Sequence, residues 1–222
     1  MTTTAVQPVG LRPQSLTEIA FDRIRDAIVN RTLQPGTRVS ESMLSEMLQV
    51  SKTPVREALL RLCHVGLVEP NTRGLRVIMP NRDLIRDAYE LRSGLEAGAA
   101  RTAADRADAA QRQAIAGAAK NSLDSARSQD TAGFSQWDTS FHSVVAQATG
   151  NRLLSKAVDD SLVLAFTLRS RDVLTLDDSV HCGQQHVDIA EAIKAGDAEA
   201  AARGMHDHIT QVMATVLAAA DK

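Results

Sequence analysis

Aromatic residues are scarce in this chain: 222 residues include one Trp, one Tyr and four Phe. Alanine and leucine carry most of the 44% hydrophobic content. That balance argues against a sheet-on-sheet core and favours helices packed on helices. Cysteine is almost absent, and Cys63 and Cys182 lie too far apart in sequence to suggest a disulfide framework. Reduced thiols follow, with Cys182 either a small apolar residue or a redox-sensitive one. No apolar run approaches the roughly 18–20 residues needed to cross a membrane. The start, MTTTAVQPVG, has no basic stretch ahead of an apolar core, so no secretory signal is expected and the cytoplasm is the expected location.

Strong net charge is missing too: the formal value is −2. The two parts of the chain differ, however. Residues 1–80 hold 10 Lys and Arg against 7 Asp and Glu, whereas residues 81–222 hold 15 against 20. The basic excess at the front suits contact with a phosphate backbone, and the acidic remainder does not.

The periodicity of apolar residues predicts a mainly α protein. Residues 1–14, broken by Pro8 and Pro13, read as a disordered tail. A first helix is expected over about 15–30, with Leu16, Ile19, Ala20, Ile24 and Ile28 inward. Helices near 42–49 and 53–65 follow, Gly66 ending the second. Val68 and the run Leu75, Val77, Met79 alternate as strands around the turn 71–74. Residues 15–80 thus have the order of a winged helix-turn-helix. Past Met79-Pro80-Asn81, residues 81–222 read as helices over about 82–104, 106–128, 131–148, 152–171, 178–195 and 198–220. Short polar breaks between them, such as 149–151 and 195–197, predict an all-α antiparallel bundle.

The most informative stretch is Ser51-Lys52-Thr53-Pro54-Val55-Arg56-Glu57-Ala58-Leu59. Thr53 is expected as N-cap and Pro54 at the first helical position, where its missing N–H costs nothing. Val55, Leu59, Leu62 and Cys63 form an inward stripe, leaving Lys52, Thr53 and Arg56 outward at the helix N-terminus. Basic and hydroxyl side chains at that end suit phosphate and base edges.

This segment closely resembles the GntR family of bacterial transcription regulators, whose pattern runs P-G-x-x-L, L-A, S-R-T-P-V-R-E-A-L-x-x-L, G-L-V and a wing ending G-x-x-V. The matching positions are Pro35-Gly36, Leu44, Ser51 to Leu59, Leu62, Gly66-Leu67-Val68 and Gly74 to Val77. Lys52 replaces the family's arginine and Ser45 its alanine; lysine keeps the charge but loses the bidentate fork for guanine. The resemblance implies that Ser51, Lys52, Thr53, Arg56, Arg73 and Gly74 contact double-stranded operator DNA.

Asp138 and His142 are four residues apart, so they project from one helix face. His186 starts the stripe His186, Ile189, Ala190, Ile193, and His208 lies on the last helix. Three imidazoles and a carboxylate suit a divalent metal ion, with zinc first and nickel or manganese also fitting. Spacing alone also allows hydrogen-bonded core histidines. His206 is expected on an opposite, solvated face, His64 near backbone or solvent, and His181 at the mouth of any pocket.

Asp138-Thr139-Ser140-Phe141-His142 resembles a D-x-x-F-H motif. Gln185-His186-Val187-Asp188-Ile189 resembles E-H-x-x-I, and Gly196-Asp197-Ala198 through His208 resembles G-D-x-x-x-A with its following histidine. These are motifs of the FCD ligand-binding domain of the FadR subfamily. The resemblance covers most of 82–222, with little signature over 105–130. It implies metal ligation by Asp138, His142, His186 and His208, with Gln185 departing from the family's glutamate. Tyr89-Glu90-Leu91-Arg92-Ser93-Gly94-Leu95-Glu96 resembles the E-L-R-x-x-L-E stretch. It makes Arg92 either a clamp for an effector carboxylate or the partner of Glu96 at i+4. Arg169 and Arg171 are further candidate cations.

The resulting expectation is a cytoplasmic homodimeric repressor of the FCD-like class. A small carboxylate effector, bound beside a metal ion, controls its operator affinity. A metal-dependent enzyme using the same four ligands is the rival from another class. A metal-free regulator of acyl thioesters is the rival within regulators. No H-E-x-x-H motif or nucleophile–base pair supports an enzyme.

Overall fold

A computed structural model describes residues 15–169 and 174–220. The tail expected at 1–14 and the cation Arg171 lie outside the described residues. The chain divides into two compact units at Met79–Pro80.

The first unit holds α1 (Leu16–Val29), β1 (Arg38–Val39), α2 (Glu41–Leu48), α3 (Lys52–Val65), β2 (Val68–Asn71) and β3 (Gly74–Val77). A capping box of Ser15 and Glu18 starts α1, whose Ala20, Ile24 and Ile28 are buried. Leu16 and Ile19, expected inward, are instead 57% and 39% exposed, and the first turn of α1 meets α3 through a hydrogen bond from the Thr17 hydroxyl to Glu57 Oε2 at 2.7 Å. Helix α3 begins one residue earlier than expected. Ser51, and not Thr53, is the N-cap, with an extended backbone and no side-chain cap bond. Pro54 then sits in the third helical position, still within the turn whose N–H groups have no helical acceptor. Val55, Ala58, Leu59 and Leu62 are buried, and Cys63 is half-buried. Gly66 ends the helix at φ 84°, a left-handed conformation that glycine adopts without strain.

The wing is an antiparallel three-stranded sheet in the order β1-β3-β2, with Asn71 opposite Gly74 at its tip. The two-residue β1 was not foreseen. Ser45, where the family has alanine, donates its hydroxyl to the Val50 carbonyl at 2.6 Å and ties down the turn between α2 and α3.

The second unit is helical among the described residues. It comprises α4 (Arg82–Arg106), α5 (Ala109–Arg127), α6 (Thr131–Ala148), α7 (Arg152–Leu168), α8 (Leu176–Ala195) and α9 (Ala198–Ala220). Polar side chains cap the starts: Asn81 for α4, Asp108 for α5, Asp130 for α6, Asn151 for α7 and Thr175 for α8. Asp197 Oδ1 accepts from Ala200 N at the start of α9, as its sequence position suggests. Helix α4 packs on α9 and α7, and α5 packs on α6 and α8. At the α5–α8 crossing, a methyl group added to Gly183 would lie 2.7 Å from the Leu123 Cα, so only glycine allows this approach.

Candidate metal centre and DNA-reading face

Buried alanines line the facing sides of α4 and α9, which pack on each other, and polar side chains of α4, α6, α8 and α9 meet in the interior. Asp138 and His142 come from α6, His186 from α8 and His208 from α9. All four side chains are buried, and their ligand atoms lie within 4.8 Å of one another. His186 Nε2 is 3.3 Å from His208 Nε2 and 3.6 Å from Asp138 Oδ1, and His142 Nε2 is 4.0 Å from the same oxygen. Two nitrogens bound to one ion at about 2.1 Å stand roughly 3.0–3.4 Å apart, so the spacing fits a shared cation.

Each imidazole is held from behind by a different kind of partner. His142 Nδ1 lies 2.5 Å from Glu96 Oε2, His208 Nδ1 lies 2.9 Å from Gln185 Oε1, and His186 Nδ1 lies 3.0 Å from Ser122 Oγ. Gln185 in turn donates from Nε2 to Gln211 Oε1, which also faces His181 Nε2 at 3.1 Å. With its amide nitrogen so used, Gln185 presents its oxygen to His208. That oxygen can only accept, so His208 carries its proton on Nδ1 and turns a lone pair inward. The Phe141 ring stacks on His186 with centroids 4.3 Å apart and fixes its plane.

Burial pulls the pKa values of His186 and His208 well below the usual histidine value, and neighbouring histidines add to the effect. Both rings are therefore neutral near pH 7, which is the state that ligates metal. Burial alone would raise the Glu96 pKa. Arg92 and His142 outweigh it and hold the carboxyl at about 2, so Glu96 is ionised. Cys182 is pushed up to about 12, chiefly by burial, which keeps it a thiol and disfavours a redox role.

Arg92 is 2% exposed and donates from Nε to Glu96 Oε1 at 2.8 Å. The surface Arg–Glu pair considered from the sequence is thus a buried one, linked through Glu96 to His142. Among the described residues no protein group accepts a hydrogen bond from its two terminal nitrogens. Arg169 stacks its guanidinium over Phe166 at 4.3 Å. His206 is exposed, as expected, but its Nδ1 also pairs with Ser93 Oγ at 2.8 Å. His181 touches Gln211, as above, and His64 is exposed in the last turn of α3.

In the first unit Ser51, Lys52, Thr53, Arg56, Arg73 and Gly74 are all exposed. The first turn of α3 carries no acidic residue. Arg56 forms a bidentate pair with Glu41 at 2.8 and 2.9 Å, with 63% of the arginine side chain open. Asn71 Oδ1 accepts from Arg73 N at 2.8 Å and shapes the wing tip.

The description "Bacterial regulatory proteins, gntR family" matches residues 16–75, and "FCD domain" matches residues 87–211. The chain belongs to the GntR family, with the FCD domain that marks its FadR-like branch. It is 31% identical to the probable D-xylose utilization operon transcriptional repressor of Paenarthrobacter nicotinovorans, over 84% of each chain. It is 27% identical to the putative L-lactate dehydrogenase operon regulatory protein of Escherichia coli, over 92% of this chain and 87% of that one. The Escherichia coli McbR/YncC structure shares the fold at a TM-score of 0.78 and 19% identity, covering 95% of this chain and all of the other. The chain is a DNA-binding transcription regulator and not an enzyme, so the metalloenzyme rival falls. No described helix is long and apolar enough to cross a membrane.

Proposed function

We propose that this regulator is a cytoplasmic homodimeric repressor whose operator affinity is set by a small organic acid bound beside a divalent ion. The observation that carries the reading is the orientation of three buried imidazoles. Each is held by a separate partner at Nδ1, so three Nε2 atoms and one Asp138 oxygen converge. A zinc ion, or nickel or manganese, held there supplies positive charge and open coordination positions for a carboxylate. Arg92 supplies the second charge, since its terminal nitrogens remain for an anion while Nε is tied to Glu96. A metal-free regulator of acyl thioesters would leave these four buried polar side chains without a role. The repressor assignment draws on the xylose-operon relative, and the acid draws on the lactate-operon relative.

Residues 15–80 read the operator through Ser51, Lys52, Thr53, Arg56, Arg73 and Gly74. Residues 81–222 bind the effector and dimerise. Two reading heads match half-sites about one helical turn apart. Regulation requires that the acid bind two conformations unequally, and the usual coupling corresponds to a shift in operator affinity of about 5- to 150-fold. The test is an operator titration of metal-loaded and chelator-treated protein against a panel of small acids. A shift that disappears with chelator is expected. Equal operator affinity under every condition would overturn the reading.

A further inference from the structure

Tyr89 lies on the inward face of α4, three residues before Arg92. Its side chain is wholly buried, yet its hydroxyl has no hydrogen-bond partner among the described residues. A phenol buried without a partner is unfavourable, and phenylalanine would fill the same space without that penalty. The Arg92 guanidinium carbon is 5.3 Å from the centre of the Tyr89 ring and 5.7 Å from that of Phe166. The far side of this group is also cationic, because Arg169 stacks on Phe166. Arg92 therefore joins two clusters. Through Glu96 it reaches His142 and so the four-residue ligand set, and on its other side it meets the ring of Tyr89 and that of Phe166, which Arg169 shares.

We infer that the Tyr89 hydroxyl is a specificity-determining donor for the effector, acting with Arg92 on the end of the acid remote from the metal ligands. The inference rests on the organic-acid reading above and narrows its ligand class. One carboxylate serves the cation, and a second oxygen acceptor serves Arg92 and Tyr89. The effector is thus two-ended, a short dicarboxylate or hydroxy acid, and a simple fatty acid is discriminated against because it leaves the phenol and the guanidinium unsatisfied.

The experiment compares butyrate with succinate, which share a four-carbon chain and differ in the second carboxylate. Both are titrated calorimetrically into zinc-loaded full-length protein, wild type and Tyr89→Phe, with metal content and melting temperature measured alongside. Succinate is expected to bind wild type more tightly than butyrate. In Tyr89→Phe, succinate affinity falls about tenfold, the loss of one hydrogen bond to a charged group. Butyrate affinity and metal content stay unchanged, and the melting temperature does not fall. Equal succinate affinity in the two proteins overturns the role of Tyr89. So does an equal loss for both acids with a lowered melting temperature, which marks a structural hydroxyl. If butyrate binds but succinate gains nothing over it, the two-ended class fails while the organic-acid reading stands. If neither acid binds wild type, both fail.

Discussion

Glu96 joins Arg92 to His142: one carboxylate oxygen accepts from Arg92 Nε at 2.8 Å, and the other lies 2.5 Å from His142 Nδ1. All three side chains are at most 3% exposed. Replacing Glu96 with glutamine keeps its size and removes its charge, leaving the Arg92 cation buried and uncompensated. A loss of about 3–5 kcal/mol of stability is expected. Metal affinity should also drop by about 10- to 100-fold, since His142 loses its orienting acceptor. Thermal denaturation and chelator competition measure the two effects. An unchanged metal affinity would mean that Glu96 serves the arginine alone.

The metal-free protein should lose stability as pH falls through the ordinary histidine range. His186 and His208 are held neutral, their folded pKa values lying well below 6.5. Below about pH 6.5 the unfolded chain therefore binds protons that the folded chain refuses, and stability falls with pH. Each group contributes up to about 1.4 kcal/mol per pH unit, until the folded rings themselves protonate. Melting curves between pH 7.5 and 5 on chelator-treated protein should show the decline, and a His186→Asn variant should show less of it. A flat profile would contradict the buried neutral state.

Replacing His142 and His186 together should abolish metal binding. Elemental analysis of gently purified wild type should give about one ion per chain, and added metal should raise its melting temperature. The double variant should show neither, while His206→Ala keeps both. Metal that follows His206 instead of His208 would move the fourth ligand.

On the reading head, Arg56→Ala should weaken specific operator binding by about 1–3 kcal/mol if the arginine pairs with a base. Its pairing with Glu41 is exposed, so the fold should be little affected. Arg73→Ala at the wing tip should act through phosphate, weakening all sequences alike and flattening the salt dependence. Anisotropy titrations at several salt concentrations separate the two behaviours. Unaltered affinity in both variants would take them off the DNA face.

Much of this architecture was legible because its signals are local. The cap at Asp197, the glycine after α3 and the alternation around residues 71–74 each depend on a few neighbours in sequence. The N-cap of α3 was placed two residues late, because Ser51 and Thr53 are both residue types that favour this position. Strand β1 is two residues long and exists only through its pairing with β3, so no local pattern announces it. The four ligand positions followed from motif resemblance, and periodicity alone left them ambiguous with core histidines. Ser122 and Gln211 carried no signal: each matters through one atom placed behind a ring by a helix crossing. Tyr89 carried no reading of its own in the sequence, since an unmatched hydroxyl is visible only once every neighbour is known.

The backbone contact at Gly183 sets a dimension of the site. Helix α8 touches the α5 backbone at Leu123, one residue from Ser122 and three residues before His186. Any side chain at 183 would act as a wedge between these helices. It would carry the His186 ring away from its hydroxyl and from the other two imidazoles. The placement of the His186 ring is therefore set in part by an absent methyl group, on a residue outside the ligand set.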